Sequence, residues 1–204
     1  MKNDKFPLIR FGIYTLLLLL LGGFLNYVAG MEDIRQFKEG GIVEWLQLVV
    51  LGMSAGVMFA AARRRVPGTK IFPIITAFVT LLAMVRECDA LLDQALPTGG
   101  WQAPATVLVV TAFLLAWYNR DTFGRQLKQL SQTSTFTLMW AGLAVVIYGQ
   151  LTGHGPFLEP LLGDDYARNY KRLLEECLEM LGYFMLFAGS IELFFETRDQ
   201  SDNP

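Results

Sequence analysis

The sequence contains few of the residues that build metal sites and disulfide frameworks. Among 204 residues there are two cysteines, Cys88 and Cys177, and a single histidine, His154. One histidine is far from a zinc or haem site, and its glycine-flanked surroundings predict a solvated loop residue. The sequence has no nucleophile motif, no glycine-rich phosphate loop and no HExxH spacing. It therefore predicts no metal site, no cofactor and no catalytic residues.

The sequence also lacks a large excess of charge of either sign. The formal net charge is -2, and no basic stripe with interleaved aromatic residues is present, which argues against nucleic acid as a partner. Hydrophobic residues make up 53% of the chain and the mean hydropathy is +0.37, which is too apolar for an ordinary soluble protein. We expect membrane lipids to be its main partner, with other membrane subunits or copies of the same chain as alternatives.

Long apolar runs dominate what the sequence does contain. The hydrocarbon core of a bilayer is about 30 Å thick and is crossed by roughly 20 helical residues. Six stretches meet this requirement, and they show no period-two alternation of the kind that marks a β-barrel. The predicted fold class is all-α: one transmembrane domain over residues 1–204, a six-helix bundle with short loops and a tail at 196–204. The predicted spans cover residues 11–30, 42–62, 71–92, 103–118, 135–151 and 173–195.

The first span has two interpretations. Lys2, Lys5 and Arg10 precede a leucine run, as in a secretory signal peptide, and "YVAGME" offers a weak cleavage site after Gly30. Five further spans follow it in the same chain. We therefore expect an uncleaved transmembrane helix.

The charged residues between the spans predict an orientation. If the N-terminus is inside, 11 of the 17 basic residues lie on the inner side, as the positive-inside rule requires. In the same arrangement, 13 of the 19 acidic residues lie on the outer side. We expect both termini to be cytoplasmic, and the short loops favour a bacterial inner membrane.

Polar and ionisable residues collect near the outer ends of several predicted spans. A charge at the bilayer centre costs about 2.5 to 3.5 kcal/mol on insertion scales, so such residues usually face protein or water and form pairs. Glu179 is the deepest of the group, about 9 Å in from Leu173 at 1.5 Å per helical residue. The candidate ion or substrate site consists of the following residues: Glu44 and Gln47 on the second span, Arg86 and Glu87 on the third, Tyr148 on the fifth, and Glu176 and Glu179 on the sixth.

Three interpretations of this cluster stay open. In a structural interpretation, Arg86 lies between carboxylates such as Glu44 and Glu176 and holds three helices together. In a second, the carboxylates outnumber Arg86 and Arg172, so they cannot all ionise in a low dielectric, and one exchanges a proton or binds a cation. In a third, paired carboxylates act as general acid and base on a lipid-linked substrate.

The second interpretation gives the predicted function, a small transporter, channel or ion- or proton-coupled membrane subunit. Glu179 or Glu176 would carry the exchangeable proton or cation, while Arg86 would prevent all the carboxylates from ionising together. Gln47 and Tyr148 would contribute neutral ligands. The alternatives are a non-transporting sensor or assembly subunit and, third, a membrane-embedded hydrolase or transferase, which the lack of catalytic motifs disfavours.

The two cysteines lie at similar predicted depth. Cys88 follows Glu87 and Cys177 follows Glu176, so an oxidising outer compartment would permit a disulfide bond between them. Cysteine is also among the most buried residue types, where it behaves as a plain small hydrophobic residue. We therefore favour two free thiols.

Small residues recur at helical spacing on two spans. Gly52, Gly56 and Ala60 form a ridge on the second span, and Gly182 and Gly189 lie seven residues apart on the last. Such patterns let helix backbones approach one another closely. We expect them to mark packing between helices of the same chain.

Overall fold

The structure, a computed structural model, describes residues 6–31, 33–38, 40–64, 70–96, 99–152, 160, 163 and 168–201. Over these ranges the chain is all-α, which confirms the predicted fold class. A short 3-10 helix covers Ile34–Phe37. The eight α-helices of the described residues are α1 (Phe6–Ala29), α2 (Ile42–Arg64), α3 (Ile71–Glu87), α4 (Asp89–Ala95), α5 (Gln102–Tyr118), α6 (Arg120–Leu130), α7 (Ser134–Thr152) and α8 (Arg168–Ser201).

By helix length and hydropathy the chain is an integral membrane protein. Four stretches within the described residues can cross a bilayer, and two bent helix pairs raise the number to as many as six spans. The α3–α4 pair bends by 74° and the α5–α6 pair by 93°. The last helix continues through residues 196–201, the first part of the predicted C-terminal tail. The four unbent candidate spans are Leu8–Ala29, Arg35–Arg64, Ser134–Thr152 and Asn169–Glu196.

At both bends, a side chain forms a hydrogen bond with a backbone group near the end of a helix. The predicted third span ends early, at Cys88, and the Asp89 carboxylate then accepts a hydrogen bond from the Ala90 N–H at 2.6 Å. At the second bend, the Asn119 side chain donates to the Leu115 carbonyl at 2.9 Å. Short polar side chains that bond to the backbone compete in this way with continuation of a helix.

Glycines set the contact between α7 and α8. A Cβ atom added to Gly182 would lie 2.7 Å from the carbonyl oxygen of Gly142, which is too close for any real side chain. Gly149 and Gly189 make similar approaches, and each helix therefore presents two glycines seven residues apart. The prediction for Gly182 and Gly189 is confirmed, and the two backbones lie in direct contact.

The ridge predicted on α2 does not pack in this way. Among the described residues, no atom lies within 4 Å of a Cβ built on Gly56, and the nearest to one on Gly52 is the sulfur of Met84, at 4.0 Å. These glycines therefore border open space or a flexible methionine. Close backbone contact is a property of the α7–α8 pair.

Helix α8 lies at the centre of the bundle. It packs against α1, α2 and α7, while α2 also packs against α3, and α3 against α5. We call the end where α2 and α8 begin and α3 ends the acidic end, and the opposite end the basic end. At the basic end, α6 folds beneath α3, and the Gln126 side chain accepts a hydrogen bond from the Phe72 N–H at 2.8 Å. Polar side chains on α8 can therefore meet those of several other helices.

Candidate functional site

Three polar residues of α8 lie on one face at the acidic end. Glu176, Glu179 and Tyr183 follow the spacing i, i+3, i+7, which brings side chains to the same side of a helix. Each of the three is hydrogen-bonded to a side chain on a different helix. Helix α8 thus links α2, α7 and α3 through three polar contacts.

The first contact joins Glu176 to Gln47 on α2. The Gln47 side chain is fully buried, and its Nε2 donates to the Glu176 carboxylate at 3.0 Å and to the Glu176 backbone carbonyl at 3.5 Å. The other amide atom, Oε1 of Gln47, is buried and has no hydrogen-bond partner among the described residues. The amide nitrogen of Gln47 therefore has hydrogen-bond partners, whereas its amide oxygen has none among the described residues.

The second contact joins Glu179 to Gln150 on α7. Glu179 is only 3% exposed, and the Gln150 side-chain amide donates to its carboxylate. The neighbouring Gly149 makes this contact possible, since a Cβ there would lie 3.1 Å from the Cβ of Leu178 and 3.7 Å from the backbone nitrogen of Glu179. The close approach of the helices at this glycine brings Gln150 within reach of the acid.

The third contact joins Tyr183 to Glu87, the last residue of α3. The Tyr183 hydroxyl donates to the Glu87 carboxylate at 2.7 Å, and the tyrosine is 2% exposed. Glu87, Glu176 and Glu179 also interact electrostatically with one another. We call these three acids, with Gln47, Gln150 and Tyr183, the carboxylate cluster.

The carboxylate cluster is held by neutral donors. Its acids accept hydrogen bonds from two amides and one phenol, and none of the three forms an ion pair within the part of the chain that the structure describes. Arg86 is exposed and Arg172 half-buried. Both act on the cluster electrostatically from a distance, Arg86 on Glu87 and Arg172 on Glu176. Three acids therefore share the bundle interior without a directly bonded cation.

Comparisons with known protein families, curated proteins and solved structures found no match for this chain.

The remaining predicted site residues lie at the edge of the carboxylate cluster or away from it. Glu44 accepts a hydrogen bond from the Gly40 N–H at 2.7 Å, before the first turn of α2, and interacts electrostatically with Glu87. Tyr148 is 55% exposed on the outer surface of α7, apart from the acids. Gln150, two positions further along α7, makes the contact instead.

The structure brings Gln47, Glu87, Glu176 and Glu179 together from the predicted set, and it adds Gln150 and Tyr183. A sequence signal for Gln150 exists, because it directly follows Gly149, one of two glycines on α7 whose seven-residue spacing matches that of the α8 glycines. Tyr183 continues the polar stripe that begins with Glu176.

Metal and disulfide chemistry can be assessed over the described ranges. There, no three His, Cys, Asp or Glu side chains lie close enough to hold a metal ion. Cys88 and Cys177 are both free thiols in the structure. His154 lies outside the described residues.

Proposed function

We propose that this protein conducts protons across the membrane, as a channel or transporter, and that the carboxylate cluster takes up and releases the proton. The observation that carries the proposal is the set of three acids whose hydrogen-bond donors, among the described residues, are all neutral. Three ionised carboxylates in a low-dielectric interior repel one another strongly, and each loses the solvation that water provides. Binding a proton removes one of these charges.

The partners of the acids favour a proton over a metal cation. Gln47, Gln150 and Tyr183 all present hydrogen atoms to the carboxylate oxygens. Hard cations such as Ca²⁺ instead need several oxygen atoms that point toward them. Each acid has one oxygen bonded to an amide or phenol donor, and its other oxygen can carry a proton.

Position within the bundle supports a transport role. Glu179 is almost fully buried beside the α7–α8 contact, and ionisable groups at such positions in membrane helices commonly mark ion or proton pathways. Among the described residues, the Glu179 side chain has one hydrogen-bond partner, Gln150 on α7. A change in the charge of Glu179 would therefore alter the contact between α7 and α8.

The test is proton flux in liposomes that contain the purified protein and a trapped pH-sensitive dye. A potassium diffusion potential drives protons inward, and the internal pH is followed. We expect the wild-type protein to acidify the lumen several-fold faster than protein-free liposomes, and Glu179→Gln to reduce the protein-dependent rate at least tenfold.

Asp121→Asn is the matched control. Asp121 is an exposed acid on α6, at the basic end of the bundle and away from the carboxylate cluster, so its substitution should leave the flux at the wild-type level. A wild-type rate equal to that of empty liposomes would overturn the proposal. A Glu179→Gln rate equal to the wild-type rate would do the same.

A further inference from the structure

The buried amide of Gln47 lacks one hydrogen-bonding partner. Its Nε2 atom donates to Glu176, while its Oε1 atom is buried without a donor among the described residues. An unsatisfied buried acceptor destabilises the fold, and native proteins rarely leave one. Some group near Gln47 should therefore supply a hydrogen atom.

The charged side chains that act on Glu176, the partner of Gln47, are mostly acids. They are Glu87, Glu175 and Glu179, with Arg172 as the cation one helical turn before Glu176. The Tyr183 hydroxyl already donates to Glu87, and the Gln150 amide to Glu179. An ionised carboxylate accepts hydrogen bonds only, whereas a protonated one also donates. The missing donor is therefore supplied most simply by a proton on one of these acids.

We infer that Glu176 holds this proton and donates it to Oε1 of Gln47, while still accepting the hydrogen bond from Nε2. This inference rests on the proposed function and names the residue that carries the proton. Glu176 is the acid concerned because its carboxylate already lies 3.0 Å from the neighbouring atom of the same amide. A carboxylic acid and an amide can form a two-bond pair in which each group both donates and accepts.

The pair would make the α2–α8 contact depend on the proton. With Glu176 protonated, both atoms of the Gln47 amide are satisfied across the interface. With Glu176 ionised, the amide oxygen has no donor, and Glu87, Glu175 and Glu179 repel the Glu176 charge while Arg172 partly offsets their effect. Loss of the proton would therefore weaken this contact between the two helices.

Infrared spectroscopy of the purified protein at pH 7 tests the inference, because a protonated carboxyl group gives a C=O stretching band separate from those of ionised carboxylates. We expect one such band in the wild-type protein, its loss in Glu176→Gln and its retention in Glu179→Gln. Glutamine at position 176 can still accept from and donate to Gln47, so this variant should unfold at the wild-type temperature or above.

Gln47→Leu gives a second readout that leaves Glu176 unchanged. Removing the amide takes away the hydrogen bond to the carboxyl C=O, so the band should move to higher wavenumber or, if the proton is lost, disappear. An unshifted band in Gln47→Leu, a band that survives in Glu176→Gln, or a wild-type spectrum without the band would each overturn the inference.

The two proposals fail in different ways. One outcome is that liposomes with the wild-type protein acidify faster than protein-free liposomes while the infrared band survives in Glu176→Gln. In that case the proton lies on another acid and only the present inference is wrong. If the band behaves as expected but the liposomes show no flux, Glu176 holds a proton and the transport function is wrong.

Discussion

Arg10 on α1 and Glu192 on α8 form a two-pronged ion pair at the basic end of the bundle. The Arg10 Nε and Nη2 atoms donate to the two carboxylate oxygens at 2.8 and 3.0 Å, and the Tyr14 hydroxyl donates to the same carboxylate at 2.7 Å. Glu192 is nearly buried, whereas most of α1 faces outward. This polar contact fastens a peripheral helix to the central one.

Breaking the ion pair should be much more harmful than replacing it. Arg10→Met leaves a buried carboxylate without its cation, and we expect a loss of about 3 kcal/mol in the free energy of unfolding, at the lower end of the range for buried pairs because Arg10 is partly exposed. The double variant Arg10→Met, Glu192→Met should recover most of this loss. Unfolding titrations in mixed detergent micelles measure both values, and equal losses in the single and double variants would contradict this explanation.

The glycines of α7 and α8 should tolerate no side chain. Gly182→Ala places a methyl group 2.7 Å from the Gly142 carbonyl, and because backbone cannot move aside cheaply, we expect a loss of about 1–3 kcal/mol. Gly56→Ala is the matched control, since open space surrounds that position and alanine favours a helix over glycine. The same unfolding titration applies, and a Gly182→Ala variant as stable as Gly56→Ala would show that the two helices are not held by backbone contact.

Asp33 should show a pH response that depends on its neighbour Arg35. The Arg35 side chain and backbone N–H both donate to the Asp33 carboxylate, at 3.0 and 3.1 Å, and these bonds hold its pKa below the usual range. Any contribution of this contact to stability is present at pH values above the pKa that Asp33 has in the unfolded chain. That contribution is lost as the pH falls through the lower pKa that Asp33 has in the folded protein. Arg35→Ala should therefore raise the Asp33 pKa toward its ordinary value.

A carbon-13 NMR titration of labelled aspartate in micelles measures the Asp33 pKa as the midpoint of its titration curve. Because Asp33 and Arg35 are exposed to solvent, Arg35→Ala should leave the thermal unfolding temperature unchanged at neutral pH. An Asp33 midpoint that is identical in the wild type and the variant would mean that the hydrogen bonds do not persist in solution.

The helices were predictable from the sequence because bilayer thickness fixes the length of an apolar run. The bends were not, because neither Cys88 nor Asn119 is a proline or glycine, and each break depends on how a local side chain bonds to the backbone. The same limit explains why Tyr148 was predicted in the site, although Gln150 makes the contact. The two residues lie about 200° apart on a helix, and hydropathy does not indicate which of them faces α8. The direct contact of the glycines does indicate it.

The depth of the acids was equally predictable, since alternating helices place Glu87, Glu176 and Glu179 at one end. Their partners depend on helix rotation, which the sequence pattern leaves open by tens of degrees. Arg86 was expected to lie among the acids, but it is exposed, and neutral donors occupy the positions next to them. The proposed proton site rests on these neutral donors, which stand where a cation was predicted.

The central claim is that buried acids on α8 carry an exchangeable proton, and labelling with dicyclohexylcarbodiimide tests it most directly. This apolar reagent enters membranes and adds to protonated carboxyl groups, and mass spectrometry then identifies the modified residue. We predict modification of Glu176 or Glu179 in membranes at pH 7, a several-fold lower yield at pH 10, and none at the exposed Asp121. Equal labelling of Glu176, Glu179 and Asp121, or labelling of none of them, would contradict the claim.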